Sequence, residues 1–542
     1  MHLETPLRPP TDNYRPALLP ICLFVFFLMF FWWLPSSDYT AVDGALRALG
    51  VYHDPSFLFH GNNHLLYPFW VSTWNKLAQA VGISASNGFE FMRISQAMNA
   101  FFGAAAIAIM CSILQLFAES ELAVLSSAGF GFSTALLLHA TNSAEPIPGL
   151  FFSLLGVRVL MEGLRRENRW ILGAAGICFA TALASYQAMG TVAGIGVFAC
   201  VWWASSRNEG RVALRVVASL FWVTLGGLIA VCGIYGFAYS HQGIAISRMP
   251  RQFFSLGGGP EVYSGFTISR IVNVPFGLLR NLFSDVPPGY HGIRALLRDP
   301  HRAFWIPAVL AGLIVVGLIA WLASRALWRS ARKWPGSVVL AGIVAVAMLC
   351  FPLLYWDPGY DKLWLLPLAA FAAVAAFAFR PGLLGTGERK ILTTLLILVL
   401  AAEIGVNVPD VFRSHFGATP HLADARDLNA LITPRDWVVL DFDDVSGLWL
   451  SFWGQDAHTL MLPSSTATDA KEWLDSAKRA RQQSGARIVF VGVLDHDPKA
   501  WNDFLGAKVG IPYGLLDEYR AHPTILKTYA DQTGTITVKA FQ

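Results

Sequence analysis

The sequence predicts an α-helical polytopic membrane protein of about eleven transmembrane helices, with a small C-terminal α/β soluble domain. Three observations predict it. The 542-residue chain is 54% hydrophobic and 14% charged, with a mean hydropathy of +0.48, too apolar for a soluble protein of this length. The apolar residues fall in long, nearly uncharged runs near 17–35, 91–117, 120–140, 145–163, 170–187, 188–204, 213–238, 304–326, 336–355, 363–379 and 391–408. Beyond 408 the pattern changes to short apolar stretches separated by polar turns.

The first run extends from Ala17 to Trp33 and closes on Trp32-Trp33-Leu34-Pro35. It is longer than a signal-peptide core and lacks a small-residue cleavage site, so it reads as a retained helix with an aromatic interface anchor. The connections that follow sort by charge. Arg165, Arg166 and Arg169 share one turn, and Arg207, Arg211 and Arg215 another. Arg325, Arg329, Arg332 and Lys333, then Arg380, Arg389 and Lys390, complete the set. With alternating spans all of these share one face, which the positive-inside rule makes cytoplasmic. The opposite turns, 141–145, 185–190 and 356–362, are poor in Lys and Arg. Loops 36–90 and 239–303 then face outward. An odd number of crossings puts the N-terminus in the cytoplasm and the C-terminal region outside.

The expected domains are therefore 1–408, membrane-embedded, and 409–542, external. In the tail, helix-like and strand-like segments alternate: His421–Ile432, Trp437–Asp441, Asp444–Trp453, Thr459–Leu462, Ala470–Gln483, Arg487–Val491, Thr524–Tyr529 and Thr535–Phe541. Roughly 130 residues can bury a core of their own.

All six cysteines lie in apolar runs, without CxxC or Cys/His spacing, so neither a disulfide framework nor a structural zinc site is expected. The net charge of +4 is small, and no nucleic-acid partner is expected. Gly257-Gly258-Gly259 lacks the Lys-Ser/Thr of a P-loop and follows no strand.

The chemistry-bearing residues gather on the outer face. Asp38 follows the first span, and Asp43 comes shortly after. Asp38 suits two roles, an N-cap for the helix over 40–49 and a general base that takes a proton from a hydroxyl. Asp43 is a second carboxylate or a solvated face residue. Glu145 stands in a tiny outer turn. His60 and His64 are positioned to bind substrate or, with Asp38, a divalent cation. Lys362 is nearly alone on its side, and reads as a phosphate ligand or an interfacial anchor. Loop 239–303 carries Arg248, Arg251, Arg270, Arg280, Arg294, Arg298 and Arg302, which are phosphate ligands or a basic surface.

The stretch Asp38–Pro55, with Ala45, Ala48, Leu49-Gly50 and His53, resembles the first external loop of GT-C superfamily membrane glycosyltransferases. The protein O-mannosyltransferase and lipid-A aminoarabinose transferase branch is the nearest in pattern. His64-Leu65-Leu66-Tyr67-Pro68 fits the end of that loop, Arg93 the following feature, and Glu145 the second acid. The segment Trp356-Asp357-Pro358-Gly359-Tyr360-Asp361-Lys362 is similar to a late outer loop of bacterial members. Two features depart from the pattern: Tyr39 replaces a second adjacent acid, and Glu145 stands between Ala144 and Pro146.

The resemblance implies a polyprenyl-phosphate sugar donor, a lipid, glycan or protein acceptor, and inverting transfer with Asp38 as base. It also implies substrate contacts from Tyr67 and Arg93, and a bacterial inner or plasma membrane location. The residues themselves lead to a compatible place. Nucleotide sugars are cytosolic, so outward-facing chemistry needs a donor that arrives on a lipid. No cofactor beyond an optional divalent cation is expected. The competing readings are a transporter or flippase of lipid-linked saccharides, which would favour inverted repeats and mid-bilayer charges, and an oligosaccharide ligase.

Overall fold

The computed structural model describes residues 15–36, 42–59, 64–207, 212–248, 266–283, 305–356, 358–380, 382–416, 427–428, 430–440, 458–462, 467–502, 506, 510–531 and 534–541. The chain folds as two compact units, one comprising Met1–Val81 with Arg93–Phe416, the other Gly82–Met92 with Gly417–Gln542.

The larger unit is all helix. Helix α1 (Arg15–Trp33) is followed by α2 (Val42–His53), α3 (Tyr67–Ala80) and the long α4 (Gly88–Leu114). Then come α5 (Ser120–Phe132), α6 (Thr134–Ala140), α7 (Pro146–Arg166), α8 (Arg169–Ser185), α9 (Val192–Ser206) and α10 (Val212–His241). After α11 (Ile268–Leu282), the unit ends with α12 (Trp305–Ala331), α13 (Gly336–Tyr355), α14 (Leu365–Phe377) and α15 (Thr386–Phe416).

Each stretch expected to cross a membrane is helical. Among the described residues, 7 helices are individually long and apolar enough to cross, or up to 8 if a bent pair counts as one span. Leu18–Trp33 and Arg169–Ser185 are apolar but shorter. The protein is a multi-pass integral membrane protein.

The run 120–140, expected as a single crossing, is broken. Ser133 adopts an extended conformation, and α5 and α6 meet at 65°. The break is held from α15: Asn407 Nδ2 donates to the freed Phe132 carbonyl at 2.7 Å and its Oδ1 accepts from Thr134 Oγ1 at 3.1 Å, while the same Nδ2 donates at 2.7 Å to the carbonyl of Leu282, further along the chain. A break at membrane depth needs such a partner, because lipid offers no hydrogen bonds.

Other local features follow from the sequence. Pro146 opens α7, where its missing N–H costs nothing, and Arg165 and Arg166 complement the dipole in its last turn. Glu167, with φ 51°, turns the chain, and Asn168 caps α8 through the amides of Trp170 and Ile171. Helices α8 and α10 meet backbone to backbone: a side chain at Gly176 would overlap the Val223 carbonyl, and one at Gly226 that of Gly173. The expected outer loop 239–303 is not all loop, since it contains α11.

The smaller unit has a five-stranded sheet. Its strands are β1 (Trp437–Leu440), β2 (His458–Met461), β3 (Ile488–Val491), β4 (Thr524–Asp531) and β5 (Gly534–Phe541), in the order β2-β1-β3-β5-β4. The first three are parallel, β5 is antiparallel to β3, and β4 is antiparallel to β5. Helix α16 (Ala467–Ser484) carries the chain from β2 to β3, the parallel strands on either side of β1. It lays Leu474 and Ala477 on the face formed by Val439, Leu460, Ile488 and Phe490. Leu428 and Ile432 cover the opposite face, at Val438 and Val489. Arg487 grips Asp436 bidentately at 2.6 and 3.0 Å, fixing the start of β1 against β3.

Candidate functional site

The site lies where the turn between α6 and α7 meets the connection between α13 and α14. The α6–α7 turn is held from three directions. Tyr67 Oη and Ser95 Oγ each lie 2.8 Å from Ser143 Oγ. Asn99 Nδ2 donates to the carbonyls of Asn142 and Ala144, each at 2.8 Å. Gly44 of α2 rests directly on the Ser143–Ala144 backbone, leaving no room for a Cβ. The end of the first span is tied to the same place, since Ser36 N donates to Thr141 O at 2.8 Å.

Glu145 occupies the N-cap position of α7, yet its carboxylate makes no cap bond. It is 1% exposed and faces Lys362 Nζ at 3.2 Å and His64 Nε2 at 3.8 Å. Burial by itself would raise its pKa. The charge of Lys362, reinforced by Arg47 and His139, outweighs burial and holds the carboxyl below its ordinary value. The His64 ring stacks on Tyr186 at 5.2 Å, and Lys362 Nζ lies over the Tyr186 and Tyr360 rings at 5.9 and 5.8 Å.

Asp361 precedes Lys362 at the start of a short 3₁₀ turn and accepts the Lys362 amide at 3.0 Å. Its Oδ1 lies 3.7 Å from Nε2 of the buried His139. Burial opposes ionisation here too, but His139, Arg280 and the Lys362 amide pull the carboxyl down to about 2. Helix α11 braces this connection. Arg270 donates to the Tyr355 carbonyl and Arg280 to that of Gly359, and Gly277 abuts the Pro358 carbonyl. Trp364 Nε1 closes it by donating to Pro358 O at 2.7 Å.

The structure thus brings together Glu145, His64 and Lys362, with Tyr67 behind them. Tyr67 is fully buried, and burial pushes its phenol up to about 12, so it holds the turn as a neutral hydroxyl. Arg93 donates to Pro35 O at 3.1 Å, bracing the chain just past the first span, and His415 Nδ1 meets the same carbonyl at 2.7 Å. Arg270 points to the Tyr355 carbonyl, and Arg248 is exposed. Asp38, His60 and Arg251 lie outside the described residues, as does the side chain of Asp43, whose backbone belongs to α2. Among the described residues no group of three or more His, Cys, Asp or Glu is arranged to hold a metal ion. His139 and Tyr186 were not anticipated: each is a single polar residue within or beside an apolar run.

The larger unit also holds an apolar cavity of about 630 Å³, lined among others by Val192, Leu349, Leu366, Trp328 and Trp334. Leu366 of that lining follows Lys362 by four residues in the chain.

No family profile matches this sequence, and no curated protein matches it significantly. Solved structures do. ArnT from Cupriavidus metallidurans in the apo state matches with a TM-score of 0.56 and 12% identity, over 96% of this chain and 97% of that chain. ArnT from the same organism bound to undecaprenyl phosphate matches with 0.53 and 13%, over the same 96% and 97%. The S. cerevisiae protein O-mannosyltransferase Pmt1–Pmt2 complex bound to its sugar donor overlaps in part, with a TM-score of 0.34 and 15% identity. That match covers 49% of this chain, which spans 36% of the yeast chain's length. The fold is GT-C-like, similar to that of ArnT.

Proposed function

We propose that this protein is a membrane glycosyltransferase that moves a sugar from a polyprenyl-phosphate donor to an acceptor on the extracytoplasmic face, with inversion. The N-terminus is cytoplasmic and the C-terminal domain is external, in a bacterial plasma membrane.

The observation that carries this reading is the buried Glu145–Lys362 pair at 3.2 Å, packed against the α2 segment that follows the first span. A desolvated carboxylate and ammonium at the end of a helical bundle are costly unless used. The same helical unit holds an apolar cavity that suits a lipid chain. The GT-C-like fold, one of whose solved examples is bound to undecaprenyl phosphate, supports a lipid-phosphate ligand.

In this mechanism Asp38 accepts the proton of the acceptor hydroxyl or amine. The freed electron pair attacks the anomeric carbon from the side opposite the phosphate. The bond from that carbon to the phosphate oxygen breaks, and polyprenyl phosphate leaves with the electron pair. Lys362 meets the charge that develops on the phosphate, as a preorganised cation in a site shielded from bulk water. Glu145 keeps that ammonium aimed, and His64 and Tyr67 support Glu145 and its turn. Arg248 and Arg251 are further phosphate contacts in this reading, while Arg270 and Arg280 hold the loop that presents Lys362. In this reading Asp43 is a second carboxylate of the catalytic set and His60 a substrate contact.

The test is donor consumption. Purified protein in lipid nanodiscs is given undecaprenyl-phosphate sugars with a membrane extract as acceptor source, and free undecaprenyl phosphate is quantified by mass spectrometry. Time-dependent, protein-dependent release is expected. No release from any hexose, pentose or aminopentose donor would count against the proposal.

A further inference from the structure

Two histidines flank the charged cluster, and the mechanism above uses only His64. The other, His139, ends α6 and is 4% exposed. Neither of its ring nitrogens has a hydrogen-bond partner, and Nε2 is aimed at Asp361 Oδ1 at 3.7 Å. A buried imidazole that forgoes both hydrogen bonds is costly unless another contact compensates. The compensating group here is Asp361, a carboxylate held in its ionised form that the ring nitrogen faces.

Asp361 in turn receives the amide of Lys362 at 3.0 Å, so the carboxylate fixes the backbone from which the Lys362 side chain departs. That side chain then spans to Glu145. The links form one series from α6 to α7: His139 to Asp361, Asp361 to the Lys362 amide, and Lys362 Nζ to Glu145.

We infer that His139 and Asp361 are positioning residues, a buried histidine and a half-buried carboxylate that fix the backbone of Lys362 so that its ammonium is held on Glu145. The inference deepens the proposed function, and rests on it for the meaning of Lys362 as a phosphate partner. The geometry of the pair stands without it. The charged groups facing His139 are Asp361 from the α13–α14 connection and Glu145 from the head of α7. Arg280 of α11 and Lys362 join them around Asp361 and Glu145. The pair is therefore the link between α6 and the lysine, while α11 holds the same connection through the Tyr355 and Gly359 carbonyls and the charge of Arg280.

The experiment reads Lys362 directly. The full-length protein in detergent micelles is treated with a limiting amine acylating reagent, and the acylation rate of each lysine is measured by peptide mass spectrometry. Lys362 in the unaltered protein is expected to react slowly, because its ammonium is ion-paired and partly buried. His139→Gln and Asp361→Asn are each expected to raise its rate about tenfold, close to the effect of Glu145→Gln, with Lys76 and Lys390 unchanged. Unchanged Lys362 rates in both variants would overturn the inference. So would equal increases at Lys76 and Lys390, since these signal general loosening. Binding of undecaprenyl phosphate to the same samples provides the separate readout. If the unaltered protein binds none, the functional proposal fails while the positioning result stands. If it binds, the two variants are expected to weaken binding several-fold in the Lys362 background but not in a Lys362→Ala background.

Discussion

Lys362 Nζ lies 3.2 Å from Glu145 Oε1, joining two outer turns that are 217 residues apart in sequence. The pair is nearly dry, with side-chain exposures of 19% and 2%. Removing one member of such a pair leaves the other charge buried alone, which costs about 3–5 kcal/mol. Lys362→Ala is therefore expected to lower the midpoint of thermal unfolding by several degrees, and Glu145→Gln to lower it less, because a neutral amide leaves only an ammonium that can still reach Tyr186 and Tyr360. Differential scanning fluorimetry in detergent checks both. Equal or higher midpoints in both variants would mean that the pair contributes nothing.

The same variant separates binding from turnover. Lys362→Ala is expected to raise the donor KM about tenfold or more with a smaller change in kcat, as expected for loss of a ground-state phosphate contact. Steady-state kinetics with an undecaprenyl-phosphate sugar measures it. An unchanged KM would remove Lys362 from the donor site.

Acid should weaken the cluster in a defined direction. Both carboxyls have folded-state pKa values below their unfolded ones, so their contribution is present above the unfolded pKa and lost as pH falls through the folded one. For Asp361 that window runs from the ordinary 3.8 down to about 2, and for Glu145 it opens at the ordinary 4.5. A shift of that size for Asp361 corresponds to about 2 kcal/mol. Unfolding midpoints measured between pH 6 and pH 3 should fall below pH 4.5, and Asp361→Asn should flatten the lower part of that fall. An identical slope in the variant would contradict the assignment.

Gly44 has no space for a side chain against the Ser143–Ala144 backbone. Gly44→Ala must push α2 away from the turn that carries Glu145. We expect at least tenfold lower transfer with a loss of about 1–3 kcal/mol in stability, the usual cost of overpacking. Wild-type activity in Gly44→Ala would show that this contact is not needed.

Asn407 holds the break between α5 and α6. Asn407→Ala leaves the carbonyls of Phe132 and Leu282 without that donor, at about 1–3 kcal/mol each where they are buried. The expected result is a clear drop in thermal midpoint, while Asn407→Asp, which has no NH2 group, should be no better than alanine. A neutral alanine variant would assign the bend to local sequence instead.

The helices were legible because long uncharged runs leave few alternatives, and α13 begins and ends at the residues expected of it, 336 and 355. The break at Ser133 was not, because its cause, Asn407, is 275 residues downstream of Phe132. In the tail, Val- and Ile-rich segments marked β1, β3 and β5, but the order β2-β1-β3-β5-β4 depends on long-range pairing that no local pattern reveals. Glu145 and Lys362 could be singled out because Glu145 is the one charge in turn 141–145 and Lys362 the one cation in turn 356–362. His139 offered no such signal, since one histidine at the end of an apolar run looks like any buried histidine. Arg270 shows the converse: its charge in loop 239–303 was plain, but its target, the Tyr355 carbonyl, depends on how α11 packs.

The most direct test of the central claim is the rate of donor consumption by Asp38→Asn in nanodiscs, measured on protein whose thermal midpoint matches the unaltered chain. Loss of the general base is expected to cut turnover about 10²–10⁴-fold with donor binding retained. A folded Asp38→Asn protein that consumes undecaprenyl-phosphate sugar at the original rate would contradict it.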